Sequence, residues 1–308
     1  MATTRRRFPP REVDFTGAPM DYGSNARGVG MGPMAFRLAG LAEKLEEQGI
    51  RLHDRGDLII PEARRKVPQD RTARDILKVC AEVAARVFTS MRSGRLPLVV
   101  GGDHSIAIGT VAGASRWFRE RGQRMGLLWI DAHGDMNNPE TSPSGNVHGM
   151  PLAISLGDGI PSLVRLGGFR PKVEAGRTAL VGIRNLDDEE RKNIARFGIH
   201  VFTMKDIDRR GMASVMDDAI GVVSKGSEGV HVSFDMDSVD PQTAPGVGTP
   251  VPGGLSYREA HLAMELIHDA GVMTSLEVVE TNPILDVRNA TARLGVELIL
   301  SAFGKSIY

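Results

Sequence analysis

The sequence predicts an α/β fold in which a mostly parallel sheet is covered by helices on both faces. Three observations support this prediction. Short apolar runs alternate with longer segments of helical pattern along the 308 residues. The runs end in polar clusters, and ligands of such folds bind at the carboxyl ends of the strands. No internal repeat, low-complexity linker or shift in composition divides the chain, which favours a single domain.

Seven apolar runs are predicted to be strands, because short buried strands are apolar throughout. They lie at residues 13–16, 96–100, 126–130, 178–183, 200–203, 230–234 and 275–279. Six other segments are predicted to be helices, at residues 33–48, 73–91, 105–119, 188–197, 256–270 and 290–303. Ser256 and Glu259 have the spacing of a capping box, and Gly271 stands where a glycine commonly ends a helix.

Composition excludes several classes of protein. The 38 Lys and Arg residues balance 38 Asp and Glu residues, so net charge indicates neither nucleic acid nor a membrane as a partner. The single cysteine, Cys80, excludes an internal disulfide and is predicted to be a buried, inert thiol. The sequence has no apolar run of about 18 residues and no signal-peptide pattern, so we expect a cytoplasmic protein. Residues 1–11 are basic and predicted to be a disordered tail, which leaves residues 12–308 for the domain.

Aspartates are concentrated directly after two of the predicted strands. Asp131, His133 and Asp135 follow the third run, and an extended chain would point all three to one face. Asp235 and Asp237 follow the sixth run with the same spacing. Four carboxylates in one cleft would repel each other strongly unless cations hold them together. The pattern therefore predicts a site for two divalent metal ions.

His104, which follows the second run, completes a candidate set of two histidines and four aspartates. Taken singly, an aspartate after a strand is typically a helix cap or turn former, and a lone histidine is typically structural. Capping does not require carboxylates at i, i+2 and i+4 together with a second Asp-x-Asp, so the joint pattern favours metal ligands. This oxygen-rich set suits Mn²⁺ better than structural zinc. Two ions about 3.5–4 Å apart would activate a bridging water as hydroxide, and the site would favour a cationic electrophile.

Three motifs resemble those of the ureohydrolase family: Gly-Gly-Asp-His-Ser at 101–105, Asp-Ala-His-Gly-Asp at 131–135 and Ser-Phe-Asp-Met-Asp-Ser-Val-Asp-Pro at 233–241. The loop at 137–149 resembles that of the bacterial arginases within this family. The resemblance extends from about residue 13 to the C-terminus and implies a single three-layer α/β/α domain. It also implies hydrolysis of L-arginine to L-ornithine and urea by a hydroxide that two manganese ions activate.

The resemblance gives each residue of the candidate ligand set a place around two Mn²⁺ ions per subunit. Asp131 and Asp235 would bridge the ions. The remaining ligands would be His104 and Asp135 on one ion, and His133 and Asp237 on the other. Asp135 is thereby counted among the catalytic residues as well as the ligands.

Two further residues match catalytic positions of the family. His148 matches a histidine that serves as acid, base and proton shuttle, because ornithine is a poor leaving group without a proton. The alternative for His148 is a loop histidine bonded to backbone. Glu280 matches the carboxylate that pairs with the substrate guanidinium. The planar N–H groups of a guanidinium suit a carboxylate partner. The alternative for Glu280 is a solvated glutamate at a strand end.

The resemblance also implies contacts along the rest of the substrate. The residues are Asn137, Ser144 and Asn146 at the α-carboxylate, Asp187 at the α-amine with Glu190 acting through water, and Thr249 at the guanidinium pocket. For residues in a loop rich in glycine and proline, the alternative is a simple turn. Glu277 departs from the family pattern, since many members have aspartate there.

Other functions remain as alternatives. The nearest is hydrolysis of agmatine or a guanidino acid by the same metal centre. Agmatinases of the family usually lack the Ser-Gly-Asn-x-His loop that this chain has at 144–148. A catalytically silent subunit that binds a guanidino ligand would be expected to lose a metal ligand or His148, and none is missing. The resemblance further suggests a homotrimer or homohexamer that binds no nucleic acid and no membrane.

Overall fold

The computed structural model describes residues 11–24, 26–60 and 69–305. Its strands are β1 Glu12–Ala18, β2 Arg51–Asp57, β3 Leu96–Gly101, β4 Met125–Ile130, β5 Thr178–Ile183, β6 His200–Thr203, β7 Gly229–Asp235 and β8 Met273–Val279. They form one sheet in the order β2-β1-β3-β8-β7-β4-β5-β6, and every neighbouring pair is parallel. The predicted tail lies outside the described residues except for Arg11, so it stays a prediction.

Helices cover both faces of the sheet. They are α1 Gly32–Leu38, α2 Leu41–Glu47, α3 Gln69–Arg92, α4 Ala107–Arg119, α5 Pro151–Leu156, α6 Pro161–Val164, α7 Asp188–Phe197, α8 Met204–Arg210, α9 Met212–Ser224, α10 Tyr257–Ala270 and α11 Ala290–Ala302. The helices from α3 to α7 pack on one face, and α1, α2 and α8 to α11 pack on the other. Strand side chains alternate between the two cores: Leu127 and Trp129 enter one, Leu128 and Ile130 the other. None of the described helices is long and apolar enough to span a membrane.

The predicted α/β architecture and all seven predicted strands are confirmed. The capping box at Ser256 and the left-handed Gly271 at the end of α10 are also present, and Cys80 is buried. The prediction of one helix over 33–48 is wrong, because the chain forms α1 and α2 with a break at Gly40. Its φ of 79° lies in the left-handed region that glycine adopts without strain.

Strand β2 and helices α5, α6, α8 and α9 were not predicted. The sequence of β2, Arg-Leu-His-Asp-Arg-Gly-Asp, is polar. Such a sequence is tolerated because β2 is an edge strand that pairs only with β1. The sequence of β2 therefore lacks the apolar run from which a strand would be predicted.

The topology brings the polar clusters together. Strands β3, β8, β7 and β4 are consecutive neighbours at the centre of the sheet, and parallel strands have their carboxyl ends at one edge. The segment after β1 is also held at this edge. A Cβ atom at Gly102 would lie 1.6 Å from the Met20 carbonyl oxygen, so only glycine permits this close approach.

Candidate metal centre and active site

The six predicted metal ligands converge at the centre of this edge. Two groups have all their ligand atoms within 4.8 Å of one another: His104, Asp131 and Asp135, and Asp131, His133 and Asp237. Asp131 belongs to both groups. The sixth residue, Asp235, places its Oδ2 atom 3.0 Å from His104 Nδ1. The structure therefore brings together all six residues, with Asp131 between the two histidines.

The distances describe two adjoining positions. His104 Nδ1 lies 3.1 Å from both Asp131 Oδ2 and Asp135 Oδ2. His133 Nδ1 lies 3.1 Å from Asp237 Oδ2 and 3.5 Å from Asp131 Oδ1. Ligand atoms around one cation are neighbours at such separations, and mixed imidazole and carboxylate donors suit divalent metals.

Unpaired polar atoms provide a test of whether cations fit here. His104 Nδ1 and Asp135 Oδ2 are buried, and neither has a hydrogen-bond partner among the described residues. Burial and the charge of Asp131 raise the pKa of Asp135 to about 6. Burial and the charges of Asp237 and Asp131 raise the pKa of Asp235 well above its usual range. Divalent cations would satisfy the orphaned atoms and offset this repulsion, so the residues fit a metal site.

The residues reach these positions by turns and not by an extended chain. The strand β4 ends at Ile130, and Asp135 has a φ of 52°, in the left-handed region. Asp131 Oδ1 accepts a hydrogen bond from the His133 N–H at 2.7 Å. Asp235 begins a similar turn, in which its Oδ1 atom accepts a hydrogen bond from the Asp237 N–H at 2.7 Å. The prediction that alternation along an extended chain aligns these residues is therefore wrong, although the residues do converge.

Three contacts hold His104 and Asp131 in place. The His104 Nε2 atom lies 2.8 Å from Ser233 Oγ, which leaves Nδ1 facing the carboxylates. The Trp129 ring stacks on His104 with 4.2 Å between centroids, and its Nε1 donates to Asp131 Oδ2 at 2.9 Å. Neither Ser233 nor Trp129 was predicted as part of the site. Each lies two residues before a candidate ligand, Asp235 or Asp131, and Ser233 also opens the motif at 233–241.

His148 and Glu280 meet beside the candidate ligands. His148 Nδ1 lies 3.0 Å from Glu280 Oε1, and the same oxygen accepts a hydrogen bond from the His104 N–H at 2.9 Å. Glu280 is 1% exposed, so the alternative of a solvated glutamate is excluded. Burial lowers the pKa of His148, but the hydrogen bond and charge of Glu280 outweigh it and raise that pKa to about 9. Cations bound nearby would oppose this rise.

One cavity joins the metal candidates to the predicted substrate residues. The predicted residues that line it are His104, His133, Asp135, Asn137, Ser144, Asn146, His148, Asp187, Glu190, Asp235, Asp237, Thr249 and Glu280. Of the predicted residues, only the fully buried Asp131 does not reach its surface. Ser142 and Asn185 also line the cavity and were not predicted.

Several of these side chains also have structural partners. Asn137 donates from Nδ2 to Asp187 at 3.0 Å, and its Oδ1 accepts from the Thr141 hydroxyl at 2.9 Å. Asp187 caps α7 by accepting from the Glu190 N–H at 2.8 Å. The Thr249 hydroxyl donates to the candidate ligand Asp237 at 2.9 Å. These residues therefore build the cavity wall as well as facing the cavity.

Glu190 is another buried acid in the cavity wall. Its Oε1 atom accepts a hydrogen bond from the Met136 N–H at 3.0 Å. Burial raises the pKa of Glu190 to about 8. Near neutral pH this carboxyl is therefore largely protonated and can act as a hydrogen-bond donor in the cavity wall.

A parallel α/β sheet with a candidate metal centre and a cavity at its central carboxyl edge defines an α/β protein of the metal-dependent kind. Comparisons with known proteins agree. The family model "Arginase family" matches residues 11–304. The chain is 49% identical over 301 residues to an arginase of Bacillus caldovelox, covering 96% of this chain and 99% of the relative. It is 48% identical over 300 residues to an arginase of Bacillus subtilis, with the same coverage. The protein belongs to the arginase family.

Solved structures give the same assignment. The native arginase structure from Bacillus caldovelox superposes with a TM-score of 0.93 at 47% identity, covering 97% of this chain and 100% of that chain. An arginase structure from Bacillus subtilis superposes with a TM-score of 0.90 at 46% identity, covering 96% and 100%. The agmatine ureohydrolase of Thermoplasma volcanium, at 24% identity and a TM-score of 0.71, shares the fold over 96% of this chain and 89% of that chain.

Proposed function

We propose that the protein hydrolyses L-arginine to L-ornithine and urea. One observation carries the proposal: a single cavity is lined both by the candidate metal ligands and by the loop residues Asn137, Ser144 and Asn146. This arrangement lets one ligand present a guanidinium to the metal end and an α-carboxylate to the loop end. The names of the relatives at 41–49% identity, all arginases, support the same substrate.

The cofactor in this proposal is a pair of Mn²⁺ ions. Asp131 and Asp235 would bridge them, and the other ligands would be His104 and Asp135 on one side and His133 and Asp237 on the other. When bound, such a pair supplies a nucleophile near neutral pH by lowering the pKa of water. The six side chains supply two neutral imidazoles and four carboxylates, so the charges of the two dications and the four aspartates cancel.

The remaining roles belong to side chains of the cavity. Glu280 would orient the guanidinium through its Oε2 atom, because Oε1 already accepts two hydrogen bonds. His148 directs Nδ1 at Glu280, so Nε2 is the ring atom that would deliver a proton to the leaving amine. Ser144 and Asn146 would hydrogen-bond the α-carboxylate. Asp187 and Glu190 would face the α-amine.

The test compares L-arginine and agmatine, which lacks the α-carboxylate, in parallel assays of urea release with and without added Mn²⁺. A large preference for L-arginine in kcat/KM is expected, because agmatine would leave polar groups of the loop unpaired. Equal or faster hydrolysis of agmatine would reject the arginine proposal while keeping a metal-dependent ureohydrolase. Absence of urea from both substrates with metal bound would favour a silent subunit.

We also propose that residues 12–308 form one ureohydrolase domain that assembles into a homo-oligomer, as a trimer or hexamer. An apolar patch supports assembly. Its side chains are 52–78% exposed: Met31, Met34, Leu38, Ile284, Leu285 and Val287. The two segments adjoin, because a Cβ atom at Gly28 would lie 2.9 Å from Ile284, and Asn289 donates to the Ala35 carbonyl.

The apolar character of the patch favours a second copy as its occupant, because adjoining exposed apolar side chains commonly mark protein–protein interfaces. Leu38→Glu should lower the mass in light scattering, and Ser162→Glu, which adds the same charge on the opposite face, should not. An unchanged mass for Leu38→Glu would reject the patch as the interface.

A further inference from the structure

Asp103 lies in the Gly-Gly-Asp-His-Ser motif, but none of the roles above uses it. It is fully buried, next in sequence to the candidate ligand His104. Its Oδ1 atom accepts hydrogen bonds from the N–H of Ser105 at 3.0 Å and from the Ser105 hydroxyl. Its Oδ2 atom accepts from the Gly23 N–H at 2.8 Å. Both oxygens are therefore committed to donors, and Asp103 does not line the cavity.

Gly23 belongs to the segment that follows β1 and connects Asp103 to the catalytic loop. Its N–H donates to Asp103, and its carbonyl oxygen accepts a hydrogen bond from the His148 N–H at 3.1 Å. A Cβ atom at Gly23 would lie 2.5 Å from Ser105 Oγ and 2.6 Å from Asp103 Oδ1. Glycine is thus required for this residue to sit between the carboxylate and the loop.

The His148 main chain and side chain are held by different carboxylates. Glu280 holds the ring through Nδ1 at 3.0 Å. The backbone N–H is held by Gly23, which is held in turn by Asp103. Because both the main chain and the ring of His148 are fixed, the direction of its Nε2 atom is set. Misplacement of a catalytic group by about 1 Å can lower the rate of catalysis by about 100-fold.

We propose that Asp103 is a positioning residue for His148, acting through the N–H and C=O groups of Gly23. The inference rests on the proposed catalytic role of His148. Two more hydrogen bonds hold the segment after β1 against the end of β3. The Gly102 N–H donates to the Ala18 oxygen at 2.9 Å, and the Asp103 N–H donates to the Met20 oxygen at 2.8 Å. Asp103 thereby ties the loop that carries His148, more than 40 positions along the chain, to the fixed ends of β1 and β3.

The variant Asp103→Asn tests the link in the manganese-loaded enzyme. An amide at this position turns an N–H group toward backbone N–H donors, which weakens the hold on Gly23. The kcat for urea release from L-arginine should fall by about 10–100-fold, with KM changed less than about threefold and metal content equal to wild type. Ser105→Ala, which keeps the Gly23 contact, is the matched control and should stay within about threefold of wild-type kcat.

A double-mutant cycle with His148→Asn separates positioning from a general structural effect. If Asp103 acts through His148, adding Asp103→Asn to His148→Asn should lower kcat by no more than about twofold, because coupled residues are non-additive. Multiplicative losses, or wild-type kcat in Asp103→Asn, would overturn the inference. If Asp103→Asn loses metal or fails to fold, Gly23→Ala breaks the same link from the loop side and must show the same non-additivity. Wild-type turnover of His148→Asn would instead reject the proposed role of His148.

Discussion

Glu280 shows how one residue supports both the architecture and the proposed chemistry. Its Oε1 atom accepts two hydrogen bonds from the protein, whereas Oε2 is buried without a partner among the described residues. An unsatisfied buried acceptor costs about 1–3 kcal/mol. Its backbone φ of 62° adds strain that non-glycine residues rarely carry. A guanidinium donor at Oε2 would relieve the first of these costs, which is a physical reason for selecting a cationic ligand.

The first prediction concerns His148. Replacement by Asn should lower kcat for L-arginine by about 10²–10⁴-fold, the range for lost general acid–base catalysis. Metal content should stay near that of wild type, because His148 contacts Glu280 and is not one of the six candidate metal ligands. Steady-state urea release and metal analysis on the same sample provide the measurement. Turnover like that of wild type would return His148 to a structural role.

Glu277, the departure from the family pattern, does not reach the cavity. It is fully buried on β8, and its Oε2 atom accepts a hydrogen bond from the Thr110 hydroxyl of α4 at 2.6 Å. Its Oε1 atom lies 3.4 Å from His231 Nε2. The extra methylene relative to aspartate therefore extends the carboxylate toward the Thr110 hydroxyl of α4.

The second prediction follows from this contact. Glu277→Asp should lower the free energy of unfolding by about 1–3 kcal/mol, because the shorter side chain leaves a buried hydroxyl and carboxylate poorly paired. Chemical denaturation of the metal-loaded protein provides the measurement. Thr110→Val in the Glu277→Asp background should cost less than in wild type, since the two residues share one interaction. Equal stability of Glu277→Asp and wild type would contradict the prediction.

At the residue scale the sequence predicts which residues come together in the candidate ligand set better than it predicts their geometry. Spacing and residue type single out Asp131 and Asp235, and the carboxyl ends of central strands bring them together. The turns that aim these side chains depend on hydrogen bonds between particular atoms, which periodicity does not encode. Contacts between distant positions, such as His148 with Glu280 or Gly23 with Asp103, leave no pattern in a single sequence.

At the scale of elements, burial decides what can be predicted. The central strands are apolar because both of their faces are covered, so β4 and β7 are evident from the sequence. Strand β2 is missed because its pattern of exposed and polar residues resembles a loop. The break between α1 and α2 is missed because a glycine within a helical pattern is tolerated in many helices.

The loop between β4 and α5 is the element that should set substrate choice. Ser144 Oγ accepts a hydrogen bond from the Asn146 N–H at 3.2 Å, which leaves its hydroxyl hydrogen available to a ligand. Asn137, in contrast, has both ends of its amide engaged by Asp187 and Thr141. A direct contribution to the α-carboxylate is therefore clearer for Ser144 than for Asn137.

The third prediction is that Ser144→Ala erodes the preference for L-arginine. Losing one hydrogen bond to a charged group costs about 1.5–3 kcal/mol, so kcat/KM for L-arginine should fall by about 10–100-fold. Agmatine turnover should change little, because it has no carboxylate to lose. Ser162→Ala, an exposed serine outside the cavity, is the control. An equal loss with both substrates would mean that Ser144 shapes the loop and does not contact the carboxylate.

At the scale of the whole molecule, the strand order concentrates charge. Strands β3, β8, β7 and β4 are neighbours although β3 and β8 are far apart in sequence. Their carboxyl ends deliver the buried acids Asp103, Glu280, Asp235 and Asp131 to one region. The net charge of the whole chain is zero, so this local excess of negative charge is a property of the topology and not of the composition.

The last prediction is that stability depends on divalent metal. A ligand that binds only the folded state stabilises it by RT ln(1 + [L]/Kd), about 2.7 kcal/mol at a hundredfold excess over Kd. Chelation should therefore lower the melting temperature and abolish urea release, and added Mn²⁺ should restore both. Asp131→Asn should melt at the same temperature with and without Mn²⁺, since the shared ligand of both candidate positions is lost. An unchanged melting temperature after complete removal of metal, or fewer than about one ion per active chain after reconstitution, would contradict a dinuclear centre.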